Sequence, residues 1–148
     1  MNLKEKLEAS LKESMKLKDE TRKKTIRLAL SSITLAEKEH GKMLDDQSII
    51  SILQKEIKIR KDSITESQTA NRSDLLEEYN NEIKILSTFL PEQMNEVEIR
   101  KIVIQEISKI GASTMADMGK VMKSVIPLIK GRAPNNLVSQ IVREQLSK

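Results

Sequence analysis

The stretch Asn95-Glu96-Val97-Glu98-Ile99-Arg100-Lys101-Ile102-Val103-Ile104-Gln105-Glu106-Ile107-Ser108-Lys109-Ile110-Gly111 carries a complete helix signature. Asn95 with Glu98 three positions later is a capping box, in which each side chain satisfies a backbone N–H at the helix start. Ile99, Ile102, Val103, Ile107 and Ile110 then recur at helical spacing, and Gly111 supplies the left-handed residue that ends helices. The same grammar extends downstream. Asp117 reads as the N-cap of a next helix with Met118, Val121, Met122, Val125 and Ile129 inward, stopped by Gly131. Pro134 suits the first turn of a last helix carrying Leu137, Val138, Ile141, Val142 and Leu146.

Upstream, Pro91 cannot continue a helix without losing a backbone bond, so it ends the first half. Four helices are expected before it. The first starts at the capping pair Asn2 and Glu5 and presents Leu3, Leu7, Leu11 and Met15. Lys16–Glu20 is a polar break. The second runs from Thr21 to Gly41 with Ile26, Ala29, Leu30, Ile33 and Ala36. The third, capped by Asp45 or Asp46, has the stripe Ile49, Ile52, Leu53, Ile57, Arg60 and Ile64, and the polar segment Thr65–Ser73 is expected to turn. The fourth carries Leu75, Leu76, Tyr79, Ile83, Leu86 and Leu90. No strand-like alternation persists anywhere. The reading is all-α, with a four-helix domain over residues 1–90 and a three-helix bundle over residues 91–148; one continuous bundle is the alternative.

Composition narrows the chemistry. The chain of 148 residues has no Cys, no Trp, one Tyr (Tyr79), one Phe (Phe89) and one His (His40). That excludes disulfides, thiolate nucleophiles and Cys-based metal sites. A single His excludes a two-histidine metal site within one chain. With two aromatics, base stacking on several rings is excluded as a mode of RNA recognition. No cofactor or metal is expected. No apolar run approaches the roughly 18 residues of a membrane span. The N-terminus is charged and lacks the apolar region of a secretory signal, so a cytoplasmic protein is expected.

The net charge of +4 is unevenly spread. Residues 1–42 hold 11 basic and 7 acidic residues, residues 43–90 hold 6 and 9, and residues 115–148 hold 6 and 2. On the sixth helix, at about 100° per residue from Lys120, Lys123 falls near 300° and Lys130 near 280°, opposite the apolar stripe. Pro127 lies in the same sector, where water can bond the carbonyl that its ring leaves without a donor. Lysines on a solvated helix are usually interleaved with Glu, and between Lys120 and Arg143 there is no acidic residue. A phosphate-binding strip of Lys120, Lys123, Lys130, Arg132 and Arg143 is one reading; an ordinary solvated face is the other. No catalytic residue is assigned. His40 sits at a helix end, where a cation meets the helix dipole. Asp45-Asp46 reads as a cap and Glu77, Glu78 and Glu82 as helix surface. Arg60, on an apolar stripe, needs a carboxylate, with Asp62, Asp74 and Glu82 within reach.

Several short elements together resemble the YqeY family. They are Asp117-Met118-Gly119-Lys120-Val121-Met122, Pro127, and Lys130-Gly131-Arg132-Ala133, with Phe89-Leu90-Pro91-Glu92-Gln93 and Ile26-Arg27-Leu28-Ala29 upstream. Arg60-Lys61-Asp62-Ser63-Ile64 and Ala70-Asn71-Arg72-Ser73-Asp74-Leu75 fit as well. The resemblance implies a helical N-terminal domain and a C-terminal three-helix domain similar to the tail of the B subunit of the glutamine-dependent tRNA amidotransferase. It therefore implies a non-catalytic tRNA-binding accessory module, related by family label to a carbon–nitrogen ligase that uses glutamine as amido donor. A helical adaptor with a basic face for an acidic protein partner is the alternative. Two positions depart from the family pattern: Pro134 stands where Asp is usual, and Asn71 where Gly is common. Asn tolerates the left-handed conformation that such a turn requires.

Overall fold

The computed structural model describes all residues, 1–148. Every regular element is helical: α1 Leu3–Lys16, α2 Glu20–His40, α3 Asp46–Thr69, α4 Ser73–Ser87, α5 Glu96–Ile110, α6 Met118–Ile129 and α7 Asn135–Leu146, with one 3-10 turn at Met115–Asp117 before α6. The all-α class read from the sequence is the class observed. No helix is long and apolar enough to cross a membrane. Contacts gather into two units, Met1–Leu90 and Pro91–Lys148.

The first unit buries Leu3, Leu7, Ile26, Ala29, Ile33, Ile49, Leu53, Ile57 and Leu86. Each buried Leu or Ile side chain contributes about 1.5–3 kcal/mol when taken fully from water. Its helices start where the caps demand. The carboxamide of Asn2 accepts from the Glu5 N–H at 2.8 Å, and the carboxylates of Asp19 and Asp45 accept from the N–H groups of Arg22 and Ser48. α2 ends at Gly41 in the left-handed region, φ 67°. Asn71 takes the same region, φ 61°, at the α3–α4 turn.

Two expectations are corrected here. Met15 is 51% exposed, whereas Ser10 and Ser14 are buried. A strict four-residue repeat gains about 40° per step on a helix of 3.6 residues per turn, so the inward face passes from Leu7 to Ser10 and Ser14. These hydroxyls are satisfied: Ser10 Oγ accepts from Arg22 Nε and Nη2 at 3.1 and 2.7 Å, and Ser14 Oγ donates to the Leu11 carbonyl. The second correction concerns Thr65–Ser73. α3 continues to Thr69, burying Ser67, because polar residues do not end a helix while its i−4 bonds persist. The turn is confined to Ala70–Arg72.

Ion pairs tie the helices laterally. Glu37 of α2 accepts from Lys4 of α1 at 2.7 Å and from the Leu44 N–H at 3.0 Å, linking two helices and the loop before α3. Arg60 of α3 is only 7% exposed. Its Nε donates to Glu82 of α4 at 3.1 Å, and its Nη1 to the Glu56 carboxylate at 2.9 Å and carbonyl at 3.0 Å. Glu56 in turn accepts from Ser32 of α2 at 3.2 Å. Of the partners foreseen for Arg60, Glu82 is the one used. Asp62 pairs with Lys58, and Asp74 with Arg72. Glu56, one turn before Arg60 on the same helix, is the partner that the search across the turn passed over.

The second unit is a three-helix bundle around Ile99, Val103, Val121, Val125, Ile129, Val138, Ile141, Val142 and Leu146. Asn95 caps α5 by accepting from the Glu98 N–H at 2.9 Å, and Gly111 closes it at φ 76°. Pro134 stands one position earlier than expected, as the N-cap of α7, with φ −64° and ψ 138°. Its carbonyl takes the N–H groups of Leu137 and Val138, so the helix starts without a side-chain cap.

The Arg60 cluster yields a stability prediction. Arg60→Met leaves Glu56 and Glu82 without their shared cation and should cost about 3–5 kcal/mol in urea unfolding followed by far-UV circular dichroism. Arg60→Lys, which keeps charge but not the two-sided fork, should cost less. An Arg60→Met chain as stable as the parent would show that the cluster contributes nothing.

Candidate nucleic-acid interface

α6 is built with two unlike faces. Val121, Val125 and Ile129 are buried, and Met118 and Met122 pack half-buried against them. Met115, in the turn before α6, is 44% exposed. Lys120 and Lys123 lie on the outward face, both exposed. Three apart on one helix, their Cβ atoms are neighbours at about 5–6 Å. Pro127 is exposed on the same side, inside an unbroken helix.

Lys130 does not extend that row as a helical position would. It is the C-cap of α6, in the left-handed region at φ 52°, and Gly131 follows at φ 74°. Two successive left-handed residues turn the chain sharply, so the helical angle assigned to Lys130 does not apply. A lysine in this region is uncommon, because its Cβ crowds the following carbonyl. Lys130 remains exposed at the helix C-terminus, where the partial negative charge favours a cation.

Arg132 is partly engaged. Its Nε donates to the Glu92 carbonyl at 2.8 Å, and its own carbonyl accepts from the Met94 N–H at 2.7 Å. Gln93 completes this clasp by donating to the carbonyls of Pro91 and Gly131. Arg132 therefore fastens the chain entering the second unit to the turn after α6, with its terminal nitrogens outside that clasp. Arg143 is exposed on α7. Glu144, about 100° around α7 from Arg143, pairs with Arg100 of α5 at 3.4 Å.

No ion pair involves Lys120, Lys123, Lys130, Arg132 or Arg143. Lys120 acts on the carboxyl of Asp117. Asp117 precedes α6 without capping it through its side chain. It instead reaches back, accepting from the N–H groups of Ser113 and Thr114 at 3.1 and 3.4 Å. Those backbone donors, and secondarily Lys120, hold its carboxyl below the ordinary value of 3.8.

Two supporting residues escaped the sequence reading. Glu106 of α5 is buried and accepts from Ser124 of α6 at 2.5 Å. Glu106 lies three positions after Val103, on the apolar side of α5, and that placement was the available signal. Ser124 is adjacent to Lys123 in sequence, so its bond to Glu106 fixes how α6 is rotated. No group of three or more metal-ligating side chains is assembled anywhere. His40 is exposed in the last turn of α2.

A model of the family described as Yqey-like protein matches residues 4–146. The chain is 31% identical over 141 residues to a protein named Altered inheritance of mitochondria protein 41, mitochondrial, from Pyrenophora tritici-repentis, a match covering 93% of this chain and 77% of that protein. Proteins of the same name from Lachancea thermotolerans and Kluyveromyces lactis are 44% and 43% identical over 85 and 84 residues. Those two matches cover 57% and 56% of this chain and 46% and 45% of the relatives, so under half of each yeast protein is spanned. The cytoplasmic expectation is corrected by these matches, since the relatives are named as mitochondrial proteins. Mitochondrial addresses are amphipathic and arginine-rich, unlike the apolar leaders of secreted proteins on which that expectation rested.

Asp117 gives a test of how the loop before α6 is held. A depressed carboxyl adds stability that is present above its ordinary value and lost as pH falls through the lowered one. Asp117 should therefore titrate below 3.8 by NMR. The stability gap between the parent and Asp117→Asn should be full near neutrality and close on acidification. A gap independent of pH would show that the backbone bonds do not depend on the charge.

Proposed function

The chain belongs to the Yqey-like family, and from that premise we propose that it is a non-catalytic accessory module that holds tRNA by its phosphate backbone. The observation that carries this reading is the outward face of α6, where exposed lysines stand with no ion-paired carboxylate. The proposed contacts are Lys120, Lys123 and Lys130, joined by the terminal nitrogens of Arg132 and by Arg143. Contacts of this kind fix position and read shape, not sequence. The likeness to the tail of an amidotransferase B subunit, which the family resemblance implies for the C-terminal part, favours tRNA over other polyanions. A carbon–nitrogen ligase activity would need a nucleophile, a base and an orienting group in one place, and no such set was found in the sequence. The adaptor alternative uses the same kind of charge for an acidic protein.

Binding to bulk tRNA, with a mitochondrial fraction included because of the relatives' names, should weaken steeply with salt. Five phosphate contacts predict a log–log slope of about −3.5 to −4.5. Lys120→Glu with Lys123→Glu should weaken binding strongly at low salt and flatten that slope, while the far-UV spectrum stays unchanged. Unaltered tRNA affinity in this double variant would remove α6 as the contact.

With this function goes a division into two domains, residues 1–90 and 91–148. Limited proteolysis should cut first between Ser87 and Asn95 and leave two helical products. Cleavage spread evenly over both units would favour one continuous bundle.

A further inference from the structure

The outer side of α2 carries a second feature, which shares no residue with α6. Lys24, Arg27, Leu28, Ser31, Leu35 and Lys38 share one side of the helix, each standing three or four positions from another of the row. They occupy a sector of about 100°, opposite Ile26, Ala29 and Ile33, which face the core. Leu28 and Leu35 are 46% and 60% exposed. They lie seven residues apart, the repeat of one helix packed along another. Two open hollows, of about 470 and 340 Å³, flank the middle of the row and share Arg27 as a lining residue. Leu11 of α1 and Leu30 complete the floor of the second.

Glu20 and Glu78 line the hollow at the Lys24 end, and from there to Lys38 the charge along this row is one-sided. Arg27 and Lys38 make no ion pair, and Lys24 has only Glu78 at 3.5 Å, with its side chain 63% exposed. The one acid between Arg27 and Lys38 is Glu37, which is turned away to Lys4 and the Leu44 N–H. A helix offers no free backbone ladder, so an occupant must be met by side chains.

We propose that this face of α2 docks an acidic amphipathic helix of a partner protein. Its apolar residues, seven apart, would cover Leu28 and Leu35, and its carboxylates would flank them opposite Arg27, Lys38 and Lys24. From Lys24 to Lys38 the row is about 21 Å long, enough for a helix of about four turns. A phosphate backbone would gain nothing from two leucines at the centre of its footprint. A second copy laid symmetrically on the same face would set lysine and arginine against their own kind.

The test uses the full chain and two labelled peptides of three heptads, with Leu at positions a and d and either Glu or Lys at e and g. Like charges at e and g keep each peptide from pairing with itself. The Glu peptide should bind at least about tenfold more tightly than the Lys peptide. Leu28→Ser with Leu35→Ser, both exposed, should weaken it by about tenfold or more with the circular dichroism melt unchanged. Arg27→Glu should lower affinity for the Glu peptide and raise it for the Lys peptide. Equal binding of both peptides, no measurable binding of either, or a Glu-peptide affinity indifferent to the leucine change would overturn the proposal. So would a dimer, seen in sedimentation, that the leucine change abolishes, or tRNA competing with the peptide for the parent chain while the Lys120→Glu, Lys123→Glu variant still shows that competition.

Discussion

The rotation of α6 about its own axis is fixed by the burial of three aliphatic side chains, Val121, Val125 and Ile129. Everything proposed for the second unit depends on that constraint. A helix of 12 residues that must bury one stripe has no freedom over where its other residues point. Turning α6 by half a turn to hide the lysines would expose the stripe and place two ammonium groups in a core of Val, Ile and Leu. The bond from Ser124 to Glu106 adds a directional lock to a face otherwise held by non-directional packing. Position thus follows from packing, and the cationic surface is its by-product unless a partner uses it.

α2 repeats the design with a difference. Ile26, Ala29 and Ile33 fix its rotation in the same way, but its outer face mixes cations with two exposed leucines. On α6 the outer face has lysines and an exposed proline, and its large apolar residues are drawn toward the core apart from Leu128. The contrast separates the two surfaces by the ligand each suits. Hydrated cations alone fit a polyanion that keeps its water, whereas cations around apolar side chains fit a partner that itself buries apolar surface.

The sequence made the helices legible because each start and stop has a local cause. Asn2, Asp45, Asn95, Gly41, Gly111 and Asn71 all do in space what their types do in isolation. Legibility failed where the cause is geometric or tertiary. Met15 was placed inward by a four-residue repeat that the helix itself does not keep. Glu56 was missed because buried partners were sought across the turn, although the nearer one lay a single turn back. Lys130 was assigned a helical angle at a position where the chain had already left the helix, with Gly131 next door sharing its left-handed backbone. Arg132, read as a surface cation, is held by a carbonyl from the chain segment that enters its own unit. In the last two cases the local pattern is right as far as the helix end and silent about the fold of the turn beyond it.

Charge accounts for why the free cations lie where they do. Residues 43–90 hold three more acids than bases, and several of those acids are consumed locally: Glu56 and Glu82 on Arg60, Asp62 on Lys58, and Asp74 on Arg72. Of these acids Glu78 alone pairs with a cation of α2, and it reaches Lys24 at the start of the cationic row. In the second unit Glu144 goes to Arg100, Glu106 to Ser124, and Asp117 to two backbone amides. Arg27, Lys38, Lys123 and Lys130 are left without an ion pair. A chain with only four excess positive charges can in this way present two cationic faces, because several of its acids are used inside each unit and unpaired bases are left on the outside of α2 and α6.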